Sequence, residues 1–147
     1  MKTIVAAVDF SAVTYHVVEA ARELAEALKA RVLLLHVVAP PVNVVTYDMP
    51  AEAFVDELKF AKETSAKKLD ALRRVLDADG IECELKTLQG HAVEEILREA
   101  EESDASYIVM GSHGHGALYE LLAGSTSHGV IHKANCPIVI LPRSKSV

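Results

Sequence analysis

Short, nearly continuous apolar runs alternate along this chain with segments whose apolar residues recur at helical spacing. Residues 3 to 8 and 31 to 38 are such runs, as expected of parallel strands that are covered by helices on both faces. The segment between them places six apolar residues on one helical face: Val13, Val17, Ala20, Ala21, Leu24 and Leu28. This pattern predicts a strand, a helix that Ser11 caps with its hydroxyl, and a second strand.

The rest of the chain continues this alternation. A long helix is predicted from one apolar face and ends at Gly80 in a left-handed conformation; the face consists of Phe54, Leu58, Ala61, Ser65, Leu69, Leu72 and Leu76. Residues 81 to 88 alternate between apolar and polar side chains, which predicts an edge strand with one buried face. Another helix, an apolar strand at 106 to 110 and a glycine-rich loop with a helix follow, before a last strand within 136 to 142.

The strand patterns also predict the topology of the sheet. Pro137 and Pro142 lack an N–H for pairing and place the last strand at an edge, opposite the alternating third strand. Right-handed crossovers then select an α/β fold, an open parallel five-stranded sheet of order 3-2-1-4-5 with helices on both faces. Ligands of such sheets bind where the strand order reverses, which here lies around Asp9 and Gly111.

Composition and charge narrow the possible functions. The 147 residues are 50% hydrophobic and fit one domain spanning residues 1 to 147. The net charge of -6 disfavours nucleic acid and anionic membranes as partners. Two cysteines without a C-x-x-C spacing predict neither a disulfide framework nor a cysteine zinc site. With no signal peptide pattern and no run of membrane-spanning length, we expect a soluble cytoplasmic protein.

The glycine-rich segment carries the strongest chemical signal. Residues 111 to 116 read GSHGHG, and residues 124 to 127 read GSTS at the start of a predicted helix. Free N–H groups at a helix N-terminus, with neighbouring hydroxyls, bind phosphate without a lysine. The alternative is that the glycines serve only a tight turn and that Ser125 only caps the helix. No Gly-Lys pair exists, which excludes a P-loop, and Asp9-Phe10-Ser11 stands where a dinucleotide glycine motif would follow the first strand.

The spacing Gly111-x2-Gly114-x9-Gly124-Ser125 resembles the nucleotide-binding signature of the universal stress protein family. The resemblance extends over nearly the whole chain, including the opening TIVAAVDFS, IVMGSHG at 108 to 114 and the closing ANCPIVILP. It implies a Rossmann-like fold of the adenine nucleotide alpha hydrolase-like type. It also implies a nucleotide-dependent stress-response regulator that binds ATP, or ADP or AMP, with Mg²⁺ bridging the phosphates.

The resemblance also implies which residues contact the nucleotide. The loop and helix start would hold the triphosphate, Asp9 would accept a hydrogen bond from the ribose, and the backbone of Val37 would read the adenine edge. The full implied set is Ala7, Val8, Asp9, Val37, Met110, Gly111, Gly114, His115, Gly124, Ser125, Thr126 and Ser127. Two positions depart from the family pattern: Ala92 stands where proline is common, and His115 where Lys or Arg is frequent.

Other functions remain as alternatives. His113, His115, His128 and His132 fall within 20 positions, but no carboxylate or cysteine joins them at ligand spacing, so no metal ligands are predicted. The chain lacks G-x-S-x-G, and histidines are the only candidates near a γ-phosphate, so we expect at most weak ATPase activity and no catalytic residues. A weak nucleotide hydrolase or transferase using His113 or His115, or an interaction domain with a vestigial pocket, are the alternatives.

Two further expectations concern regulation and assembly. Residues 39 to 50 include three prolines and no clear periodicity, which is long for a connection and predicts a lid over the nucleotide. The exposed last strand, residues 136 to 141, predicts a homodimer that pairs through this edge, as in similar family members. A protein partner is also expected, but nothing in the sequence identifies it.

Overall fold

The computed structural model describes residues 1–39, 50–112 and 125–142. Five strands and four helices alternate in these segments: β1 (Thr3–Ala7), α1 (Thr14–Leu28), β2 (Arg31–Val38), α2 (Ala51–Asp77), β3 (Cys83–Gln89), α3 (Ala92–Glu102), β4 (Ala105–Gly111), α4 (Ser125–Lys133) and β5 (Ile138–Leu141). Within the described segments, no helix is both long enough and apolar enough to traverse a bilayer.

The five strands form one parallel sheet in the order β3-β2-β1-β4-β5, which confirms the predicted fold class. All residues of β1 are buried, because it lies at the centre with helices on both faces. On one face, Ile4 and Ala6 pack with α1 and α2; on the other, Val5 and Ala7 pack with α3 and α4. The edge positions of β3 and β5 are those predicted from alternation and from proline.

Two local predictions are wrong, for reasons that concern the main chain. The third strand begins at Cys83 rather than residue 81, because the N–H of Ile81 donates to the carbonyl of Leu76 at 3.1 Å and closes the end of α2. Gly80 there has the predicted left-handed conformation, with φ of +69°. Helix α1 has no side-chain cap: the carbonyl of Ser11, not its hydroxyl, accepts the N–H of Thr14 at 3.1 Å. Of the predicted lid, residues 40–49 lie outside the described residues.

Candidate nucleotide site

The central strand stops before its neighbours, and this leaves a notch at the carboxyl edge of the sheet. The last residue of β1, Ala7, pairs with Leu35 of β2 and with Met110 of β4. Strand β2 continues to Val38 and β4 continues to Gly111. Because the strand order reverses between β1 and β4, the notch coincides with the position where open parallel sheets bind ligands.

One wall of the notch is the main chain of Val37. The carbonyl of Leu35 faces β1 and accepts the N–H of Val8 at 2.9 Å, whereas the carbonyl of Val38 faces β3 and accepts the N–H of Gly90 at 3.1 Å. Main-chain groups of successive strand residues point to opposite sides, so those of Val37 face the β1 side, beyond the end of β1. An N–H and a carbonyl in this position match the hydrogen-bonding edge of a flat heterocycle.

Asp9 lies at the base of the notch, in the turn that follows β1. Its side chain is exposed, and Oδ1 accepts the N–H of Ser11 at 2.9 Å. Phe10 takes up the left-handed conformation, with φ of +61°, which turns the chain sharply toward α1. A carboxylate can accept several hydrogen bonds. One of these stabilises the turn, and the remaining acceptor positions of Asp9 are available to a ligand.

His36 supports this turn from the α1 and α2 face of the sheet and was missed in the sequence analysis. Its Nδ1 lies 2.8 Å from the carbonyl oxygen of Val8, and since that oxygen only accepts, Nδ1 carries the proton. The His36 ring lies 4.5 Å from that of Phe10, and the ammonium of Lys68 lies 5.1 Å from the Phe10 ring centre. A histidine inside the apolar run 31–38 was the available signal, because a half-buried imidazole requires a polar partner.

Gly111 brings the end of β4 against the start of α1. A Cβ atom at this position would lie 2.4 Å from Cγ1 of Val13, which is far inside van der Waals contact. Val13 is itself buried in the core, at 6% exposure, and its branched side chain has little freedom to move away. Glycine is therefore required here for close approach of two elements that border the notch.

Ser127 joins α4 to the end of β4. Its hydroxyl lies 2.6 Å from the carbonyl oxygen of Gly111 and 2.9 Å from that of Ser112, and the residue is 2% exposed. The hydroxyl donates its one proton to these carbonyls, so the side chain positions the helix instead of offering its proton to a ligand. The first turn of α4 is thereby held at the carboxyl edge of the sheet.

The first turn of α4 has the electrostatic character of an anion site. It begins with Ser125, Thr126 and Ser127, it contains no acidic residue, and His132 and Lys133 lie in the last turn. The first N–H groups of a helix have no partner within the helix, and the helix dipole places partial positive charge at this end. A phosphate at this position needs no ammonium group.

The structure brings nine of the predicted site residues to this edge of the sheet: Ala7, Val8, Asp9, Val37, Met110, Gly111, Ser125, Thr126 and Ser127. The side chains of Ala7 and Met110 are buried on the α3 and α4 face, whereas that of Val8 packs into the core on the opposite face. Val8 therefore contributes to the notch only through its main chain. Gly114, His115 and Gly124 lie outside the described residues, as does His113.

The described segments contain both cysteines of the chain and several carboxylates outside the notch. Cys83 begins the edge strand β3, Cys136 lies two residues before the other edge strand β5, and both are free and half-buried. Burial raises the pKa of Cys83 to about 11 and also raises that of Cys136, so both are thiols at neutral pH. In residues 1–39, 50–112 and 125–142, no group of three or more His, Cys, Asp or Glu side chains is placed to hold a metal ion.

The topology and this edge define a class of protein: an open, parallel α/β sheet with a polar notch at its switch point and a helix N-terminus beside it. The sequence model of the universal stress protein family matches residues 1–142. The chain therefore belongs to the universal stress protein family.

Individual relatives agree with this assignment. The universal stress protein YxiE of Bacillus subtilis is 32% identical over 141 residues, which cover 92% of this chain and 95% of YxiE. The solved structure of MJ0577, a universal stress protein of Methanocaldococcus jannaschii, superposes with a TM-score of 0.79 at 31% identity, covering 99% of this chain and 98% of that one. A universal stress protein of Archaeoglobus fulgidus, solved in complex with dAMP, has a TM-score of 0.63 at 26% identity and covers 95% of this chain and 96% of its own.

Proposed function

We propose that this universal stress protein binds ATP in the notch at the carboxyl end of β1. The observation that carries the proposal is the convergence of three different binding groups at that point. They are the main chain of Val37, the carboxylate of Asp9 and the first turn of α4, which Ser127 holds against β4 at 2.6 Å from the Gly111 carbonyl. The dAMP complex of the Archaeoglobus fulgidus relative supports an adenine nucleotide as the ligand.

The three groups correspond to the three parts of the nucleotide. Val37 pairs with the adenine edge, and Asp9 accepts a hydrogen bond from a ribose hydroxyl. The free N–H groups at Ser125, Thr126 and Ser127 receive the phosphates, together with the glycines Gly114 and Gly124 and with His115. Mg²⁺ bridges the phosphate oxygens and keeps several waters, since this cation rarely needs a cage made only of protein ligands.

We propose that the protein acts as a nucleotide-dependent regulator and that hydrolysis is at most weak. Phosphoryl transfer needs positive charge at the γ-phosphate and a group that orients the attacking atom. The charged groups in the described part of the notch are instead the N-terminus of α4, with its partial positive charge, and the carboxylate of Asp9. These groups can bind a nucleotide but do not supply what phosphoryl transfer needs. Bound and free forms would then differ in their contacts with a protein partner. We place this single-domain regulator in the cytoplasm, where its half-buried cysteines stay reduced.

Replacing Asp9 with asparagine tests the proposed ribose contact. Asn keeps an acceptor for the Ser11 N–H but removes the charge, and hydrogen bonds to charged groups contribute about 1.5–3 kcal/mol. We expect the Kd for ATP with Mg²⁺, measured by isothermal titration calorimetry, to rise about tenfold. The Kd for 2′,3′-dideoxy-ATP, which lacks both ribose hydroxyls, should change much less.

Asp104→Asn is the matched control for this measurement. Asp104 is exposed and left-handed, with φ of +50°, which asparagine also tolerates, and it precedes β4 at the opposite edge of the sheet. The same charge change there should leave ATP affinity unaltered. No heat and no thermal stabilisation of the wild type with any adenine nucleotide would overturn the proposed function itself.

We also propose that the protein is a homodimer that pairs through the edge strand β5, within residues 136–141. The carbonyl of Pro137 accepts the N–H of Ile108, and that of Leu141 accepts the N–H of Ser112. The carbonyl groups of Pro137 and Leu141 therefore face β4. By alternation, the main-chain groups of Ile138 and Ile140 face outward, where a second copy would pair with them.

Substituting Ile140 with proline should separate the two copies, because it removes an outward N–H and leaves the hydrogen bonds to β4 in place. In sedimentation equilibrium we expect about twice 15.9 kDa for the wild type and 15.9 kDa for Ile140→Pro. Ile140→Ala removes the same side chain but keeps the N–H, and it should remain dimeric. A monomeric wild type at high concentration would disprove the pairing.

A further inference from the structure

His128 and His132 form a close pair on the outer surface of α4. They are one helical turn apart, both side chains are exposed, and their ring centres are 4.4 Å apart with an angle of 67° between the planes. Within the described segments, neither imidazole forms a hydrogen bond with the protein. The nucleotide site proposed above uses the N–H groups of Ser125, Thr126 and Ser127 of this helix and does not account for the pair.

The spacing of the two rings matches that of imidazoles sharing one metal ion. Metal–nitrogen distances to histidine are about 2.0–2.1 Å, which puts the metal about 3.2 Å from each ring centre. Two rings at a right angle around the metal then have centres about 4.5 Å apart, and a tetrahedral angle gives about 5.2 Å. The observed 4.4 Å, in an edge-to-face contact, is close to the first value, so the two rings are near enough to occupy adjacent positions of a square or octahedral ion once side-chain rotation turns one nitrogen of each toward it.

We propose that His128 and His132 form a binding site for a divalent transition metal ion, with Cu²⁺ bound more tightly than Ni²⁺ or Zn²⁺. Neutral imidazole suits these ions, and affinity along the series reaches its maximum at Cu²⁺. Because the described residues offer no third His, Cys, Asp or Glu ligand at this point, water completes the coordination sphere. The site is thus open and exchangeable, unlike a closed structural zinc site with four protein ligands.

Metal binding at this pair would stabilise a helix that is weak by itself. Helix α4 reads STSHGVIHK, in which serine, threonine, glycine and valine all have low helix propensity. An ion shared between positions one turn apart can bind only when that turn is helical, so it selects the helical state. On the proposed function, the same helix carries the phosphate site at its first turn, so an ion that stabilises the helix would also stabilise that site.

Titration of the full-length protein with Cu²⁺ alone tests the pair, with electron paramagnetic resonance as the readout. We expect one tight site whose spectrum shows nitrogen coupling. His128→Ala and His132→Ala should each weaken binding at least about tenfold, because the second imidazole no longer acts as an intramolecular ligand. The double variant should bind Cu²⁺ more weakly than either single variant, because each single variant keeps one imidazole as a monodentate ligand and the double variant keeps none.

Four control variants separate this site from the other histidines and from an effect on the helix. His16→Ala and His91→Ala each remove a different exposed imidazole and should retain the tight site. His113→Ala with His115→Ala removes the other closely spaced pair, and retention of the site there supports the proposal. Unchanged affinity in both single α4 variants, or loss of the site in the 113/115 variant alone, overturns it. His132→Gln should also lose the tight Cu²⁺ site, and an unchanged circular dichroism spectrum would show that this loss is not due to a disturbed helix. ATP affinity is measured separately without metal, so that a failure of the nucleotide proposal is distinguished from a failure of the metal proposal.

Discussion

Replacing Lys86 with methionine is expected to lower the free energy of unfolding by about 1–3 kcal/mol, the cost of leaving a buried acceptor without its donor. The ammonium of Lys86 in β3 donates to Oε2 of Glu99 in α3 at 2.7 Å. The Glu99 side chain is only 4% exposed and that of Lys86 is 34% exposed, so removal of Lys86 leaves a nearly buried carboxylate without this donor. Among the described residues, the guanidinium of Arg98 remains 4.0 Å from Oε1 of Glu99, and its side chain is half exposed.

Urea denaturation of a mutant cycle separates this cost from lost packing. In Glu99→Gln, the ammonium of Lys86 is still partly exposed to water and lies 3.9 Å from Oε1 of Glu84. This substitution should therefore lower the free energy of unfolding less than Lys86→Met does. The double variant Lys86→Met with Glu99→Leu removes both charges, and apolar replacement of a buried pair is often neutral. We expect it to regain most of the stability. Equal losses in Lys86→Met and in the double variant would show that the charge of Glu99 does not matter.

The same pair predicts a difference at alkaline pH. The hydrogen bond to Glu99 raises the pKa of Lys86 above its ordinary value of 10.5. Its contribution to stability is therefore complete below pH 10.5 and is lost as the pH rises through the higher folded-state value. Burial raises the pKa of Cys83 from 9.0 to about 11, so the stability of the protein also falls as the pH rises from 9.0 to about 11, a range that overlaps with that of Lys86. The difference between wild type and Lys86→Met cancels the Cys83 contribution and should shrink above pH 10.5.

Replacing Gly111 with alanine is the second large effect, and it should lower the free energy of unfolding by about 1–3 kcal/mol through overpacking. The new methyl group would lie 2.4 Å from Cγ1 of Val13, so either the end of β4 or the start of α1 must move. The carbonyl of Gly111 also accepts the Ser127 hydroxyl, so the shift would displace the first turn of α4. We expect ATP affinity to fall together with stability.

A second substitution at the contact distinguishes a clash from a general disturbance. Val13→Ala alone opens a cavity and should destabilise the protein, whereas Val13→Ala in the Gly111→Ala background makes room for the new methyl. The double variant should be more stable than the sum of the two single effects predicts, and thermal unfolding with and without ATP measures both properties. Additive losses would mean that Val13 is not what requires a glycine here.

The strand order was predictable because the number of buried faces of a strand determines its pattern of apolar residues. A strand covered on both faces is a continuous apolar run, as in 31–38, whereas the edge strand β3 alternates. The start of β3 was not predictable to the residue. Ile81 is apolar and in phase with the alternation, but its N–H closes α2, and the pattern of side chains carries no information on hydrogen-bond partners.

The candidate site was predictable in its location and only partly in its contacts. Asp9 and Gly111 follow the two strands at which the sheet reverses, so topology alone brings them together. The support of the Asp9 turn by His36 was not predictable, because it joins residues of different strands through one rotamer. The same holds for Ser127, which the resemblance implies as a phosphate ligand and whose hydroxyl donates to carbonyls of β4.

The sequence by itself determined the α/β class, the order of the strands and the glycine and hydroxyl positions that match the universal stress protein family. These follow from side-chain periodicity and from residue spacing, both of which are local properties of the chain. Only the tertiary structure decided that β1 ends short of its neighbours, which leaves the main chain of Val37 facing the notch, and that Gly111 contacts Val13. These depend on the relative register and close packing of distant elements, which no local pattern encodes.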